Sequence, residues 1–250
     1  MDIKKIKTFS ASRISDLLAE GQGKTRMNYI FDLAAESIGI KKDITTKAMT
    51  HGIVNEVYAM SLLIANVGGV MNVDEQWNQK SFKITDYLTA TPDGYLENSH
   101  TLEAKCQYNI KNFIEQNNKL PVKYYLQVQC QMMAMNVNKG YLINYLTKPE
   151  IFGQDNWQEY PIPLAQRYYI HEIERDEMQC DKILQYSEEY YIYILKCIDI
   201  LNGAIKLSDI EFFSVQFYEK VKFTRLKDTV WHKCEDRVYL HDDEFYVVSK

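Results

Sequence analysis

The 250-residue sequence lacks most of the features that would place it quickly in a class. Its five cysteines, Cys106, Cys130, Cys180, Cys197 and Cys234, are odd in number, widely spread and never spaced as CxxC. That pattern excludes a disulfide framework and offers no zinc or iron–sulfur motif, so reduced, mostly packed thiols are expected. No stretch approaches the roughly 18 consecutive apolar residues of a membrane span, and the opening MDIKKIKTFSAS lacks the apolar core and cleavage site of a signal peptide. A cytoplasmic protein with no membrane partner is expected. An excess of positive charge is missing too: 29 Lys and Arg against 34 Asp and Glu leave a net charge of −5. This argues against a protein that coats nucleic acid over its whole surface, but not against a local basic groove beside acidic metal ligands. There is also no internal repeat and no low-complexity linker.

With 46% hydrophobic residues, the chain can bury one substantial core, as a single large α/β domain or as a domain with a small appendage. The first 67 residues read as helical. Ser10 is a plausible N-cap for a helix through Arg13–Leu18, broken by Gly21 and Gly23; further helices are predicted from about Met27 to Ser37 and from Ile44 to Asn66. From Gly69 the pattern changes to short strands, over Val70–Val73, Ser81–Thr85, Gly94–Leu96 and Thr101–Cys106, with Glu97–His100 as a turn. Tyr124–Asn138 reads as a helix with Leu126, Cys130, Met133 and Val137 on one apolar face, stopped by Gly140. Strands over Tyr141–Leu146 and Tyr168–Ile173 and a long helix over Asp176–Leu201 follow. From about Lys206 the residues suggest one or two added hairpins. The 19 tyrosines are expected mainly to pack.

The segment from Thr91 to Cys106 carries the most specific chemistry. Alternation along a strand puts Glu103 and Lys105 on one face and Leu102, Ala104 and Cys106 on the other. If the preceding strand pairs with it as a hairpin, Asp93 joins them at the same end, giving two carboxylates suited to a hard divalent cation and an amine beside them. Such a cation can activate water and relieve the charge of a phosphodiester. Taken singly, Pro92-Asp93-Gly94 is an ordinary turn and Glu-x-Lys an ordinary exposed pair. Their order and ten-residue separation make the combination informative. His100, His171, His232 and His241 lack metal-ligand spacing, whereas His51 lies one turn before Glu56. Trp231 is expected to pack in a hairpin rather than stack on a base.

In that order and spacing the sequence resembles the restriction-endonuclease-like, or PD-(D/E)XK, nucleases, with an Asp followed by Asp/Glu-x-Lys on adjacent strands. His51-Gly52-x-x-x-Glu56, Thr91-Pro92-Asp93-Gly94, Glu103-Ala104-Lys105-Cys106 and Tyr124-x-x-Gln127-x-Gln129 occur in the order of the lambda-type phage exonucleases, also called YqaJ-like viral recombinases. The resemblance runs from about Phe9 to the helix after Asp176, and Ile173–Glu177 looks like the family's passage from last core strand to terminal helix. It implies a mixed β-sheet flanked by helices over residues 1–205, with residues 206–250 as a small β-rich extension that it does not cover.

The resemblance further implies a metal-dependent deoxyribonuclease using Mg²⁺, or Mn²⁺ in vitro. Asp93, Glu103 and the Ala104 backbone carbonyl become metal ligands, Lys105 holds or helps to deprotonate the nucleophilic water, Glu56 points at the metal from a helix, and Gln127 buttresses the lysine. Helical spacing lets Tyr124 and Gln131 face the cleft with Gln127, and Tyr124 is expected among the residues that bind the DNA or its 5′-phosphate. Ser12 and Thr91 match hydroxyl positions that receive a 5′-phosphate, and Lys111 and Lys5 match basic ones. Lysines here replace arginines, which loses a bidentate phosphate grip. The implied activity is 5′→3′ digestion of one strand from a double-stranded DNA end, by a trimeric ring that cooperates with a single-strand annealing protein. An endonuclease or helicase-associated nuclease, or a non-catalytic DNA-binding module, is the alternative.

Overall fold

The computed structural model describes residues 6–20, 24–40, 46–147 and 161–201, together with the backbone of 232–235, 238–241 and 244–247. In chain order the first elements are β1 (Phe9–Ser10), a 3-10 turn over Ala11–Arg13, α1 (Ile14–Leu17), α2 (Lys24–Ser37), α3 (Lys47–Val67), β2 (Val70–Met71), β3 (Phe82–Lys83), β4 (Leu88–Ala90) and β5 (Gly94–Leu96). They are followed by β6 (His100–Gln107), α4 (Ile110–Asn118), α5 (Val122–Met135), β7 (Lys139–Leu146), β8 (Tyr168–Glu174), α6 (Glu177–Leu201), β9 (His232–Glu235), β10 (Val238–His241) and β11 (Glu244–Val247). The chain divides into two compact units, Ser10–Ser15 with Asp43–Leu184, and Met1–Phe9 with Asp16–Lys42 and Gln185–Lys250. The boundary expected at 205/206 lies outside the described residues.

The unit containing Asp43–Leu184 is built on a five-stranded mixed sheet of order β2-β5-β6-β7-β8. Its central strands β6 and β7 run parallel in unbroken register from His100↔Lys139 to Gln107↔Leu146, and the other pairings are antiparallel. Parallel neighbours need a long crossover, which α4 and α5 supply. One sheet face, with Leu102, Ala104, Ile143 and Tyr145, packs on Ala59, Met60 and Leu63 of α3. The other face, with Leu142 and Ile173, packs on Val128 and Met132 of α5 and on Val137. Each fully buried Leu, Ile or Met in these layers contributes about 1.5–3 kcal/mol. Alternation along β6 therefore turns Glu103 and Lys105 toward α5.

Two glycines let these layers close. A Cβ on Gly94 would stand 2.6 Å from the Val70 carbonyl oxygen and 2.6 Å from Met60 Cε, so Pro92-Asp93-Gly94 is a strand entry pressed against β2 and α3, not a free turn. A Cβ on Gly140 would stand 2.5 Å from Val128 Cγ1, where α5 lies on β7. Gly140 thus sits inside a strand and does not stop the preceding helix. That stop is Asn136 in the left-handed region (φ 51°), whose N–H reaches the Met132 and Met133 carbonyls. Gln129 ties the end of the sheet to α6: its amide donates to the Glu174 carbonyl at 2.8 Å and accepts from the Asp176 N–H at 2.9 Å. Asp176 in turn accepts from the Gln179 N–H at 3.2 Å, an N-cap contact at the junction expected around Ile173–Glu177.

In the other unit α2 buries Met27, Ile30, Leu33 and Ala34. Arg26 closes it by donating to the Leu17 and Ala19 carbonyls at 2.5 and 2.9 Å and to the Tyr190 hydroxyl at 2.9 Å, with its guanidinium over the Tyr190 ring. Strands β9, β10 and β11 form a three-stranded antiparallel sheet, the hairpins expected beyond Lys206. Other local expectations shift. Ser10 makes no side-chain cap; its hydroxyl lies 3.2 Å from that of Ser12 in a strand and 3-10 turn that replace the start of the expected helix. Helix α4 and strand β4 were not expected at all, and β2 is only two residues long.

Candidate active site

The β5–β6 hairpin pairs Gly94 with Leu102, Tyr95 with Thr101 and Leu96 with His100, which carries Asp93 to the level of Glu103. There the Asp93 carboxylate takes the place of a further β5 residue and accepts the Ala104 N–H at 2.8 Å. The N–H and C=O of one strand residue point to the same neighbour, so the Ala104 carbonyl faces the edge occupied by Asp93. Glu103 is 1% exposed. Gln127 Nε2 donates to its Oε1 at 2.7 Å, Gln131 Nε2 donates to its Oε2, and the Lys105 ammonium donates to Oε1. The lysine is also 5.1 Å from the centroid of the Tyr124 ring. Helical spacing had grouped Tyr124, Gln127 and Gln131, and all three converge on the Glu103–Lys105 pair. Gln127 is not on a solvated face, because α5 is buried almost all round from Leu126 to Met132.

Glu56 approaches from α3. Gln79 bridges it to the sheet, its Nε2 donating to Glu56 Oε1 at 2.6 Å and to Asp93 Oδ1 at 3.0 Å. Gln79 escaped the sequence reading, since it belongs to no motif and arrives only because residues 72–80 fold back. The fold-back rests on an isolated bridge between Val73 and Gln79, on Asp74 Oδ1 accepting from the Gln76 and Asn78 N–H groups, and on Asn72 donating to the Pro92 carbonyl at 3.2 Å.

Crowding of acids shapes the electrostatics. Burial, and then the charges of Glu103 and Glu56, push the Asp93 carboxyl well above its usual range. Burial and Glu103 raise Glu56 as well. At Lys105 burial opposes the charge, but Glu103 and Asp93 outweigh it and hold the ammonium above its ordinary value. The Cys106 thiol is pushed up to about 12 by burial and by the Glu56 and Asp93 charges, which leaves it protonated and a poor nucleophile. Among the described residues no three Asp, Glu, His or Cys side chains stand close enough to hold an ion unaided. Amides span the gaps instead.

The outer residues fall into two groups. The 3-10 turn carrying Ser12 packs against both α5 and β4, and Thr91 follows β4 directly, so the two hydroxyl residues belong to neighbouring segments on the α5 side. Ser12 is exposed and Thr91 half-buried. Lys111 lies exposed on α4, its ammonium 3.7 Å from Glu115 one turn on, and makes no contact there with the carboxylate cluster. Lys5 and Trp231 lie outside the described residues, as do the side chains of His232 and His241. His51 is buried, contacts the Thr147 hydroxyl and stands edge-on to Tyr108 at 5.4 Å, so it supports the end of β7. His100 packs edge-on to Tyr141, and His171 edge-on to Tyr169.

Comparison with known proteins bears on this arrangement. A model of the YqaJ-like viral recombinase domain matches residues 3–138, more than half of the chain. The chain belongs to the YqaJ-like viral recombinase family. Glu56, Asp93, Glu103, Lys105 and Gln127 all fall within the matched segment. No curated protein matches this YqaJ-like chain in sequence. Among solved structures, it is similar to an alkaline exonuclease from Laribacter hongkongensis, with a TM-score of 0.65 and 21% identity over 80% of this chain and 93% of that one. It is also similar to a phage-related exonuclease from Haemophilus somnus 129PT, with a TM-score of 0.64 and 17% identity over 81% and 98% of the two chains. At these identities the likeness shows the fold: a mixed sheet flanked by helices, as in the alkaline exonucleases. The family and the fold are both in line with the lambda-type resemblance of its motifs. No described helix is long and apolar enough to cross a membrane.

Proposed function

We propose that this chain is a Mg²⁺-dependent 5′→3′ exonuclease that digests one strand of duplex DNA from its end and leaves a 3′ single strand for recombination. The observation that carries the catalytic part is Glu103: a buried carboxylate beside Asp93 that receives Lys105, Gln127 and Gln131 at once. Three donors fill most of the lone pairs of one buried carboxylate and fix its orientation, with two further acids at hand.

The donor type, rather than the spacing of the acids in this structure, matches a hard divalent cation. Asp93, Glu103, Glu56 and the Ala104 carbonyl supply only oxygen, and the mutual repulsion of the acids is what a cation relieves. The buried Gln131 amide oxygen has no hydrogen-bond partner and leaves an acceptor for a water beside Glu103. When bound, Mg²⁺, or Mn²⁺ in vitro, supplies charge neutralisation at the phosphate and a more acidic water. The remaining steps belong to the chain. Lys105, fixed by Glu103 and by the Tyr124 face, donates to the attacking water or to a phosphate oxygen. Gln127 and Gln131 fix the Glu103 carboxylate, and Gln79 does the same for Glu56 and Asp93. Ser12 and Thr91 are proposed to receive the 5′-phosphate. Lys111 and Lys5 complete that set on resemblance alone.

The family resemblance supports a homotrimeric ring around DNA, a single-strand annealing protein as partner and a place in the bacterial cytoplasm. Incubation with linear and closed-circular duplexes, each with Mg²⁺ or with chelator, tests the activity; 5′-phosphorylated and 5′-hydroxyl linear ends test the phosphate reading. Digestion of linear DNA alone, faster from a 5′-phosphate and abolished by chelator, is expected. Digestion from 3′ ends would contradict the polarity.

A further inference from the structure

A cleft of about 550 Å³ opens beside the acids, between α3 and the 72–80 loop, lined by Ile53, Glu56, Val57, Met71, Val73, Trp77, Asn78 and Gln79. It is continuous with the candidate active site, because Glu56 and Gln79 line it and Gln79 also donates to Asp93. Its rim is unusual in two ways. Trp77 is 71% exposed, and its backbone is held at φ +62°, a conformation a bulky residue rarely adopts, in a turn closed by its N–H on the Asp74 carbonyl at 3.0 Å. Opposite it, Ile53 is 70% exposed on α3.

The chemistry of the lining selects an occupant. Among the described residues no Lys or Arg lines the cleft, and Glu56 is acidic, so a phosphate is disfavoured there. Apolar walls and an aromatic face suit a flat, neutral group, while the Asn78 and Gln79 amides and the Glu56 carboxylate offer donors and acceptors to its edge. The cleft shares Glu56 and Gln79 with the acid cluster, Gln79 donating to both Glu56 and Asp93. We infer that the cleft between α3 and the 72–80 loop is a base-binding subsite that takes the nucleobase next to the cleaved phosphodiester, with Trp77 stacking on its face. The inference rests on the nuclease reading of the adjoining acids. A base enters with both faces free, so the nucleotide at the cut is unstacked from the duplex. Stacking tolerates any base, so the subsite positions the strand without reading sequence. A second copy of the chain fits the apolar walls less well, because it would cover Glu56 and Gln79.

The test combines a protein change with a substrate change. Steady-state digestion of a 5′-phosphorylated duplex is measured for wild type, Trp77→Ala and Trp77→Phe, with an intact or an abasic nucleotide at the cleaved position. Trp77→Ala is expected to raise KM roughly tenfold with a smaller change in kcat, and Trp77→Phe to recover most of the loss. The abasic nucleotide is expected to cost wild type a similar factor and Trp77→Ala nothing more. Independent, additive losses would overturn the subsite, as would an unchanged KM in Trp77→Ala. A lower solution mass for Trp77→Ala would assign the cleft to a second copy instead. If wild type digests nothing with Mg²⁺, the nuclease reading fails on its own. Fluorescence polarisation of a labelled 5′-phosphorylated single strand then decides the subsite, and equal affinities for wild type and Trp77→Ala would end it.

Discussion

Glu103 and Lys105 show how one side chain acquires its role from several others. An exposed Glu-x-Lys pair on a strand contributes little, and screening by water and salt reduces it further. Here the pair is brought under α5, and Glu103 also takes the amides of Gln127 and Gln131. Lys105 is thereby fixed rather than merely paired. Replacing it by Ala removes the donor aimed at the reacting groups, and turnover on a 5′-phosphorylated duplex is expected to fall by roughly two or more orders of magnitude in single-turnover assays. Equal rates for Lys105→Ala and wild type would remove Lys105 from the mechanism. Alternation along the strand already placed Glu103 with Lys105, and helical spacing already grouped Tyr124, Gln127 and Gln131. Gln79 was not legible, because its position depends on a loop whose fold-back rests on Asp74 and Asn72 rather than on periodicity.

At the scale of elements, the hairpin β5–β6 and the helices α3 and α5 bring the acids together, and their close approach depends on Gly94. Gly94→Ala places a Cβ against the Val70 carbonyl, a backbone atom that cannot move as a side-chain tip does. We expect a loss of about 1–3 kcal/mol in denaturant unfolding, together with lower nuclease activity because Asp93 is the adjoining residue. Wild-type stability in that variant would show that the strands have slack. Gln129 makes the contrasting case. It faces the β8–α6 junction rather than the acids, so Gln129→Ala should cost about 1–3 kcal/mol from the Asp176 N–H and Glu174 carbonyl left unpaired, while kcat of the folded fraction stays near that of wild type. A selective loss of kcat would place Gln129 in the site. The hairpin was legible because Glu97–Ser99 is polar and turn-forming between alternating strands. Helix α4 was not: it is short, Asn-rich and buries only Phe113, so its length and propensity do not announce it. The end of α5 was misplaced because Asn136 and Gly140 are both credible stops, and packing on Val128 reserves Gly140 for the strand.

For the whole molecule, the family and the mixed-sheet fold are shown, while the nuclease activity, the metal, the polarity and the assembly belong to the proposal. Relief of repulsion among Glu56, Asp93 and Glu103 has a consequence that can be read without catalysis. Binding of an ion to the folded chain alone adds about 2.7 kcal/mol of stability at a hundred times its dissociation constant. Thermal unfolding of wild type should therefore rise with Mg²⁺ and return with chelator, and Asp93→Asn should show a much smaller rise. Identical shifts in the two proteins would remove Asp93 from the metal site. The sequence made the Asp93, Glu103 and Lys105 trio legible, but the amide scaffold that joins it to Glu56 emerges only when two helices and a loop close on the sheet. The most direct measurement of the central claim is digestion of a 5′-phosphorylated linear duplex beside the same DNA as a closed circle, with Mg²⁺. The account predicts that the linear DNA is shortened strand by strand from its 5′ ends while the circle stays intact; cutting of the circle at a comparable rate would contradict it.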